Sequence, residues 1–322
     1  MRQQNILKRR YKLNKKIGEN LGRQTWLATD IKVSPLKPVI VKLLAFNPQL
    51  QWDEFKLFER EAQVLKSINH PRIPKYLDYF SVDATEGSGL RWLGLVQNYI
   101  QGLSLQQLLN KNTYFVWQEV YNFAVEILKI LIYLHELSPP IIHRDIKPSN
   151  LILGKDNHIY LVDFGAVQDK AKAEGVTFTV VGTSGYVPPE QLWGKAVPAS
   201  DLYALGATLI HLVTHIPPTE LPQQRMQIQF KHRAKGIHPE LANWIEKLIQ
   251  PAPEKRFQTA RMALSALQNL SFQNHKPMLK YPSKTNYFIT NNYDSELRDN
   301  YVWGWLSLIF CIGFLLLLLF VF

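Results

Sequence analysis

His143-Arg144-Asp145-Ile146-Lys147-Pro148-Ser149-Asn150 places a carboxylate, a cation and an amide within one short stretch, and Asp163-Phe164-Gly165 follows after two apolar runs. Those runs, Leu151-Ile152-Leu153 and Ile159-Tyr160-Leu161-Val162, are separated by a polar turn and read as a pair of short strands. Such a hairpin brings Asn150 and Asp163 together at its mouth. Magnesium prefers hard oxygen ligands and bridges phosphate oxygens, so an amide and a carboxylate placed there suit a metal-assisted reaction on phosphate. Either tripeptide alone, His-Arg-Asp or Asp-Phe-Gly, is a weak signal. Both in this order and spacing are highly specific.

In that order the residues resemble those of the eukaryotic-like (Hanks-type) serine/threonine protein kinases, in a wording closest to bacterial and particularly cyanobacterial members, over about residues 11 to 270. The resemblance implies that Asp145 orients or deprotonates the substrate hydroxyl and that Lys147 stabilises charge on the transferred phosphoryl group. It assigns Asn150 and Asp163 to magnesium, with manganese as an alternative, and ATP as the phosphoryl donor. A lysine two residues after the aspartate resembles serine/threonine kinases rather than tyrosine kinases. Lys42, within Val39-Ile40-Val41-Lys42-Leu43-Leu44, matches the lysine that contacts the α- and β-phosphates, and Glu61 matches its helical partner. Leu95-Val96-Gln97-Asn98-Tyr99-Ile100 resembles the adenine hinge, where backbone groups of Asn98 and Ile100 bind the base edge.

Gly182-Thr183-Ser184-Gly185-Tyr186-Val187-Pro188-Pro189-Glu190 resembles the end of an activation segment. By the same resemblance Glu190 pairs with Arg256, and Asp201 anchors the catalytic loop from within the core. His143 and Phe164 are read as packing residues. Arg144 can receive a phosphate placed on Thr177 or Thr179, whereas Thr183 contacts the catalytic loop directly. The departure lies in the glycine-rich loop. Ile17 and Gly18 fit, but Asn20 and Arg23 stand where the second and third glycines are expected, with Gly22 one residue early. Arg23 either points outward into solvent or brings its guanidinium to a phosphate.

The elements needed to hold these groups are legible on both sides. Trp26-Leu27-Ala28 and Val39 to Leu44 read as strands, and Phe55, Phe58, Ala62 and Leu65 form a helical apolar stripe beside Glu61. Val120, Phe123, Ala124, Ile127, Leu128, Leu131 and Leu134 trace a longer stripe further on. The expected fold is therefore α+β and two-lobed: an antiparallel sheet lobe with one helix at about residues 11–97, then a mainly helical lobe at about 103–270. The lobes join near Asn98 to Gly102.

Around this domain the sequence predicts a basic arm at residues 1–10, a polar linker at 271–301 and a transmembrane helix at 302–322. Val302 to Phe322 is 21 residues without a charge, which as a helix is about 30 Å long, with Tyr301, Trp303 and Trp305 at its interfacial end. The 37 basic against 26 acidic residues give a net charge of +11, and seven of the cations precede the first acidic residue, Glu19. No nucleic-acid motif accompanies them, so nucleic acid is not an expected partner. The single cysteine, Cys311, lies in the apolar run and cannot form an intramolecular disulfide. These features predict a single-pass, C-terminally anchored kinase facing the cytoplasm. Its partners are the lipid bilayer, proteins presenting Ser or Thr, and a second copy for autophosphorylation. The rival readings are a pseudokinase acting as a membrane-bound scaffold and a kinase of small molecules. Lys42, Glu61, Asp145, Asn150 and Asp163 together favour catalysis, and the long segment from Asp163 to Glu190 favours protein substrates.

Overall fold

The computed structural model describes residues 6–20, 22–46, 52–82, 91–166, 168–169 and 183–272. Six antiparallel strands form the first lobe: β1 (Ile6–Leu7), β2 (Tyr11–Asn20), β3 (Arg23–Asp30), β4 (Lys37–Phe46), β5 (Tyr76–Val82) and β6 (Arg91–Asn98), in the order β1-β2-β3-β4-β6-β5. Helix α1 (Trp52–Ser67) lies between β4 and β5 in sequence. Alternation along β4 sends Val39, Val41 and Leu43 into a core with Tyr11, Ala28, Phe80, Val82 and Val96. Lys42, with Ile40 and Leu44, must then face the other way. On α1 the buried side carries Phe58, Ala62 and Leu65, and the adjacent Glu61 is buried with them. Period two on the strand and period 3.6 on the helix thus bring one lysine and one glutamate to the same side of the lobe.

After Asn98 the chain enters a second, three-stranded sheet of β7 (Gly102–Ser104), β9 (Leu151–Gly154) and β10 (Ile159–Leu161), ordered β10-β9-β7. Between these strands lie α2 (Leu105–Asn110), α3 (Trp117–His135) and β8 (Ile141–Ile142). The β9–β10 hairpin pairs Leu153 with Ile159 and Leu151 with Leu161. Its two ends set Asn150 immediately before one strand and Asp163 just beyond the other. The expected apolar stripe is the buried face of α3. Short elements β11 (Gln168–Asp169) and α4 (Pro189–Leu192) precede α5 (Pro198–Thr214). All residues of α5 from Ala199 to Leu212 are buried, which makes it the central post of the lobe. A small hairpin, β12 (Gln223–Gln224) with β13 (Gln227–Ile228), and helices α6 (Pro239–Leu248) and α7 (Ala260–Gln268) complete the domain.

The architecture is the expected two-lobed one. Among the described residues no helix is long and apolar enough to cross a membrane. The expected membrane helix at 302–322 lies outside the described residues, as does the linker beyond Phe272.

On α5, His211 is buried and its Nδ1 meets the Tyr186 hydroxyl at 2.7 Å. Burial, assisted by the charge of His215, depresses the imidazole from the ordinary 6.5 to about 4. A depressed group favours the native state above its unfolded pKa, and that contribution disappears as pH falls towards the folded value. Acidification from pH 6.5 to about 4 should therefore remove up to about 3 kcal/mol through this residue. The loss between pH 7 and pH 4.5, measured by denaturant unfolding, should be larger in the unmodified protein than in His211→Gln. Equal losses would refute the assignment.

Candidate active site

Lys42 stands between two carboxylates, its Nζ 2.5 Å from Glu61 Oε1 and 2.7 Å from Asp163 Oδ1. The second partner is 121 residues away and belongs to the other lobe. Burial on its own would lower the lysine's pKa, but the charges of Asp163 and Glu61 outweigh it and hold the ammonium form well above its ordinary range. The lysine charge in turn keeps Asp163 far below the usual carboxylate range. Glu61 goes the other way. Burial raises it more than Lys42 lowers it, and Asp163 adds repulsion. Two carboxylates sharing one cation will accept further positive charge, and the Asp163 side chain, 46% exposed, is the open one.

A second cluster is built on the catalytic-loop stretch. Asp145 Oδ2 lies 2.8 Å from Lys147 Nζ and accepts from Asn150 Nδ2 at 3.0 Å. Its other oxygen, Oδ1, accepts from the Thr183 hydroxyl at 3.0 Å, and Lys147 in turn donates to Thr183 Oγ1 at 2.5 Å. Asn150 Nδ2 also donates to the Asp145 carbonyl at 2.8 Å. With the amide nitrogen committed to Asp145, Asn150 has its carbonyl oxygen to offer a cation. That oxygen and the Asp163 carboxylate are the hard donors magnesium selects, and Asp163 lies against the lysine that would meet phosphate. These donors fit magnesium-bound nucleotide.

The loop is held from beneath by Asp201, which is fully buried on α5. Its Oδ2 accepts the His143 amide at 2.9 Å, and its Oδ1 accepts the Arg144 amide at 2.8 Å. His135 Nε2 lies 2.8 Å from Oδ2. Burial would raise this carboxyl, but the bond and charge of His135, the charge of His143 and the Arg144 amide hold it below its ordinary value. The two amide bonds also fix Arg144 at φ +69°, a left-handed backbone that is uncommon for a long side chain. Asp163 shares that φ. His143 is buried edge-on to Phe164, with ring centroids 4.9 Å apart, and burial depresses its pKa.

Glu190 and Arg256 form a bidentate pair at 2.7 and 2.9 Å, and Ser200 Oγ donates to Glu190 at 2.7 Å. Two supporting residues escaped the sequence reading. Gln191 donates from Nε2 to the Arg144 carbonyl at 2.7 Å, so the turn that carries Glu190 also steadies the catalytic loop. His135 is a polar residue on the buried side of α3, four residues after Leu131. A histidine continuing an apolar stripe was the available signal.

At the lobe junction the Asn98 amide donates to the Lys75 carbonyl at 3.1 Å, so the group Asn98 can offer a base is its own carbonyl. Ile100 lies between β6 and β7. Ile17 and Gly18 lie on β2, where Gly18 pairs with Thr25. Gly22 takes φ +73° in the turn to β3, a backbone suited to glycine and supplied one position early. Arg23 departs from the expectation of an outward, solvated side chain: it is half-buried, and its Nη2 donates to the Glu54 carbonyl of α1 at 3.2 Å. The register explains this, because Thr25 pairs with Lys42 and Arg23 with Leu44, so all four share the face turned to α1. Thr177 and Thr179 lie outside the described residues. Arg144, which was expected to receive their phosphates, is buried close enough to Arg60 for the two charges to interact, and burial followed by that repulsion lowers its pKa.

Residues 11–268 match the family model described as protein kinase domain. Serine/threonine-protein kinase D of Synechocystis sp. is 35% identical over 286 residues, which cover 84% of this chain and 54% of the relative. Serine/threonine-protein kinase PknA of Nostoc sp. is 33% identical over 290 residues, 86% of this chain and 50% of the relative. PknB of Mycobacterium leprae is 30% identical over 264 residues, 78% of this chain and 41% of the relative. The chain spans about half the length of the cyanobacterial relatives it matches.

Proposed function

Because the chain belongs to the protein kinase family, we propose that it is a serine/threonine kinase that moves the γ-phosphoryl group of magnesium-bound ATP to serine and threonine hydroxyls of proteins. The observation that carries this reading is the convergence of Lys42, Glu61 and Asp163 across the lobes beside the Asp145, Lys147 and Asn150 cluster. Asp145 orients the substrate hydroxyl and takes its proton as the oxygen bonds to the γ-phosphorus and the bond to ADP breaks. Lys147, already against Asp145, meets the charge on the transferred group. Asn150 and Asp163 would hold the metal, which would supply positive charge to offset that of the phosphates. Lys42 stays with Glu61 and gives its remaining valence to the α- and β-phosphates. Asn98 and Ile100 supply the backbone edge for adenine. Incubation of the full chain with labelled ATP, magnesium and a mixed Ser/Thr peptide substrate should yield phosphoserine or phosphothreonine. Nucleotide binding without transfer would support the scaffold reading instead.

The reading includes a membrane tether, supported by the uncharged run Val302 to Phe322 and the aromatic residues at its start. The kinase domain then works at the cytoplasmic face, where ATP is abundant. Removing residues 302–322 should release a soluble, still active enzyme. Retention of the shortened chain in a carbonate-washed membrane pellet would contradict the tether.

A further inference from the structure

We infer that Arg23 is a positioning residue that staples α1 to β3 and keeps Glu61 against Lys42 in the absence of nucleotide. The family resemblance expects a small, mobile residue at this place, and this chain puts its longest cation there. Four observations on the molecule bear on what it does.

The strand register turns Arg23 to the same face as Lys42. Its Nη2 donates to the Glu54 carbonyl in the first turn of α1. Its Nη1 approaches the position a Cβ on Gly165 would occupy to 3.9 Å, a point that Glu61 Oε2 approaches to 3.4 Å and Asp163 Oδ1 to 3.6 Å. Its Nε is buried and has no partner among the described residues. A guanidinium drawn partly out of water is favoured where a compensating charge lies near, and here Glu61 provides it. Arg23 therefore adds a further cation to the Lys42, Glu61 and Asp163 cluster. The Arg23 charge also opposes the rise that burial imposes on Glu61.

The mechanical consequence concerns α1. A helix that carries Glu61 can swing away from the sheet, and its contact with the sheet then rests on the Lys42 bond and on apolar packing. A hydrogen bond from β3 to the helix's first turn adds a second point of attachment, and two points fix an orientation that one leaves free to rotate. The bond joins the strand that follows the glycine-rich turn to α1, so the turn and the helix move as one body. The staple stands on geometry alone; its effect on phosphoryl transfer rests on the kinase reading above.

Amide hydrogen exchange of the nucleotide-free full chain tests it. Arg23→Gln should speed exchange across Trp52–Ser67 by roughly tenfold while leaving α5 unchanged. Arg23→Lys, which keeps the charge but not the planar fork, should restore part of the protection. In steady-state assays Arg23→Gln should lower kcat by roughly ten- to a hundredfold, since a small misplacement of the Lys42–Glu61 pair is felt at the reacting phosphate. Unchanged α1 exchange in both variants would overturn the proposal. So would a raised KM for ATP with unchanged exchange, which would mark Arg23 as a phosphate contact. Exchange needs no turnover, so an inactive but α1-protected parent protein would refute the kinase reading while leaving the staple in place.

Discussion

Asp145→Asn should lower phosphoryl transfer by roughly a hundred- to ten-thousandfold while largely retaining ATP affinity. Among the described residues the carboxylate's partners are Lys147, Asn150 and Thr183, and Lys42, which nucleotide binding would need, is not one of them. Exchanging an oxygen for NH2 removes the proton acceptor and faces a donor with donors. Placed at Oδ2, the new amide meets Lys147 Nζ and Asn150 Nδ2, and placed at Oδ1 it meets a hydroxyl that now donates to that position. The first rotamer also disturbs the Asn150 amide, whose bond to Asp145 Oδ2 leaves the Asn150 oxygen for a metal. Asp163→Asn should fail differently. It removes one of the two charge partners of Lys42 and the exposed carboxylate suited to a cation, so magnesium-dependent nucleotide binding should fall together with turnover. Calorimetry with and without magnesium, run beside a transfer assay, separates the two. Full transfer by either variant would sink the corresponding role.

A loss of about 3–5 kcal/mol in unfolding free energy is expected for Arg256→Met. The guanidinium is buried and all its donor nitrogens are used: Nε to the Gln250 carbonyl at 2.6 Å, Nη1 to Glu190 at 2.7 Å and to the Ala199 carbonyl at 3.0 Å, and Nη2 to Glu190 at 2.9 Å and to the Pro251 carbonyl at 2.8 Å. Its charge also lies 4.9 Å from the centre of the Tyr203 ring. Removing it leaves Glu190 largely buried with only the Ser200 hydroxyl and three carbonyls without their donor. Arg256→Lys should recover a minor part, because a point charge with three donors cannot reproduce a planar fork that reaches five acceptor oxygens. The double variant Arg256→Met with Glu190→Met should lose less than Arg256→Met alone, since the stranded charge is gone. Denaturant unfolding of the set decides this; a cost below about 1 kcal/mol for the single variant would show the pair to be dispensable.

What could be read from residues alone was local in origin. Period two in Val39 to Leu44, the helical stripe beside Glu61 and two apolar runs around a polar turn are each written within a few neighbours. They place Lys42, Glu61, Asn150 and Asp163 on particular elements, and the order of short motifs assigns chemistry to them. The reading ran out wherever a residue's role depends on what lies across from it. His135 and Gln191 hold the catalytic loop through Asp201 and the Arg144 carbonyl, which are 66 and 47 residues distant along the chain.

Arg23 shows the reason most plainly. By itself it is a cation at the end of a strand, for which solvent is the ordinary destination, and its sequence neighbours contain nothing to draw it inward. The β3–β4 register selected its face, and the arrival of α1 with Glu54 and Glu61 on that face supplied a carbonyl and a carboxylate to meet it. The sequence by itself determined which chemical groups the protein possesses and which short elements carry them, because propensity and periodicity act over a few residues. Only the tertiary structure decided which of those groups face one another, because hydrogen bonds and charge pairing act over a few ångströms regardless of separation along the chain.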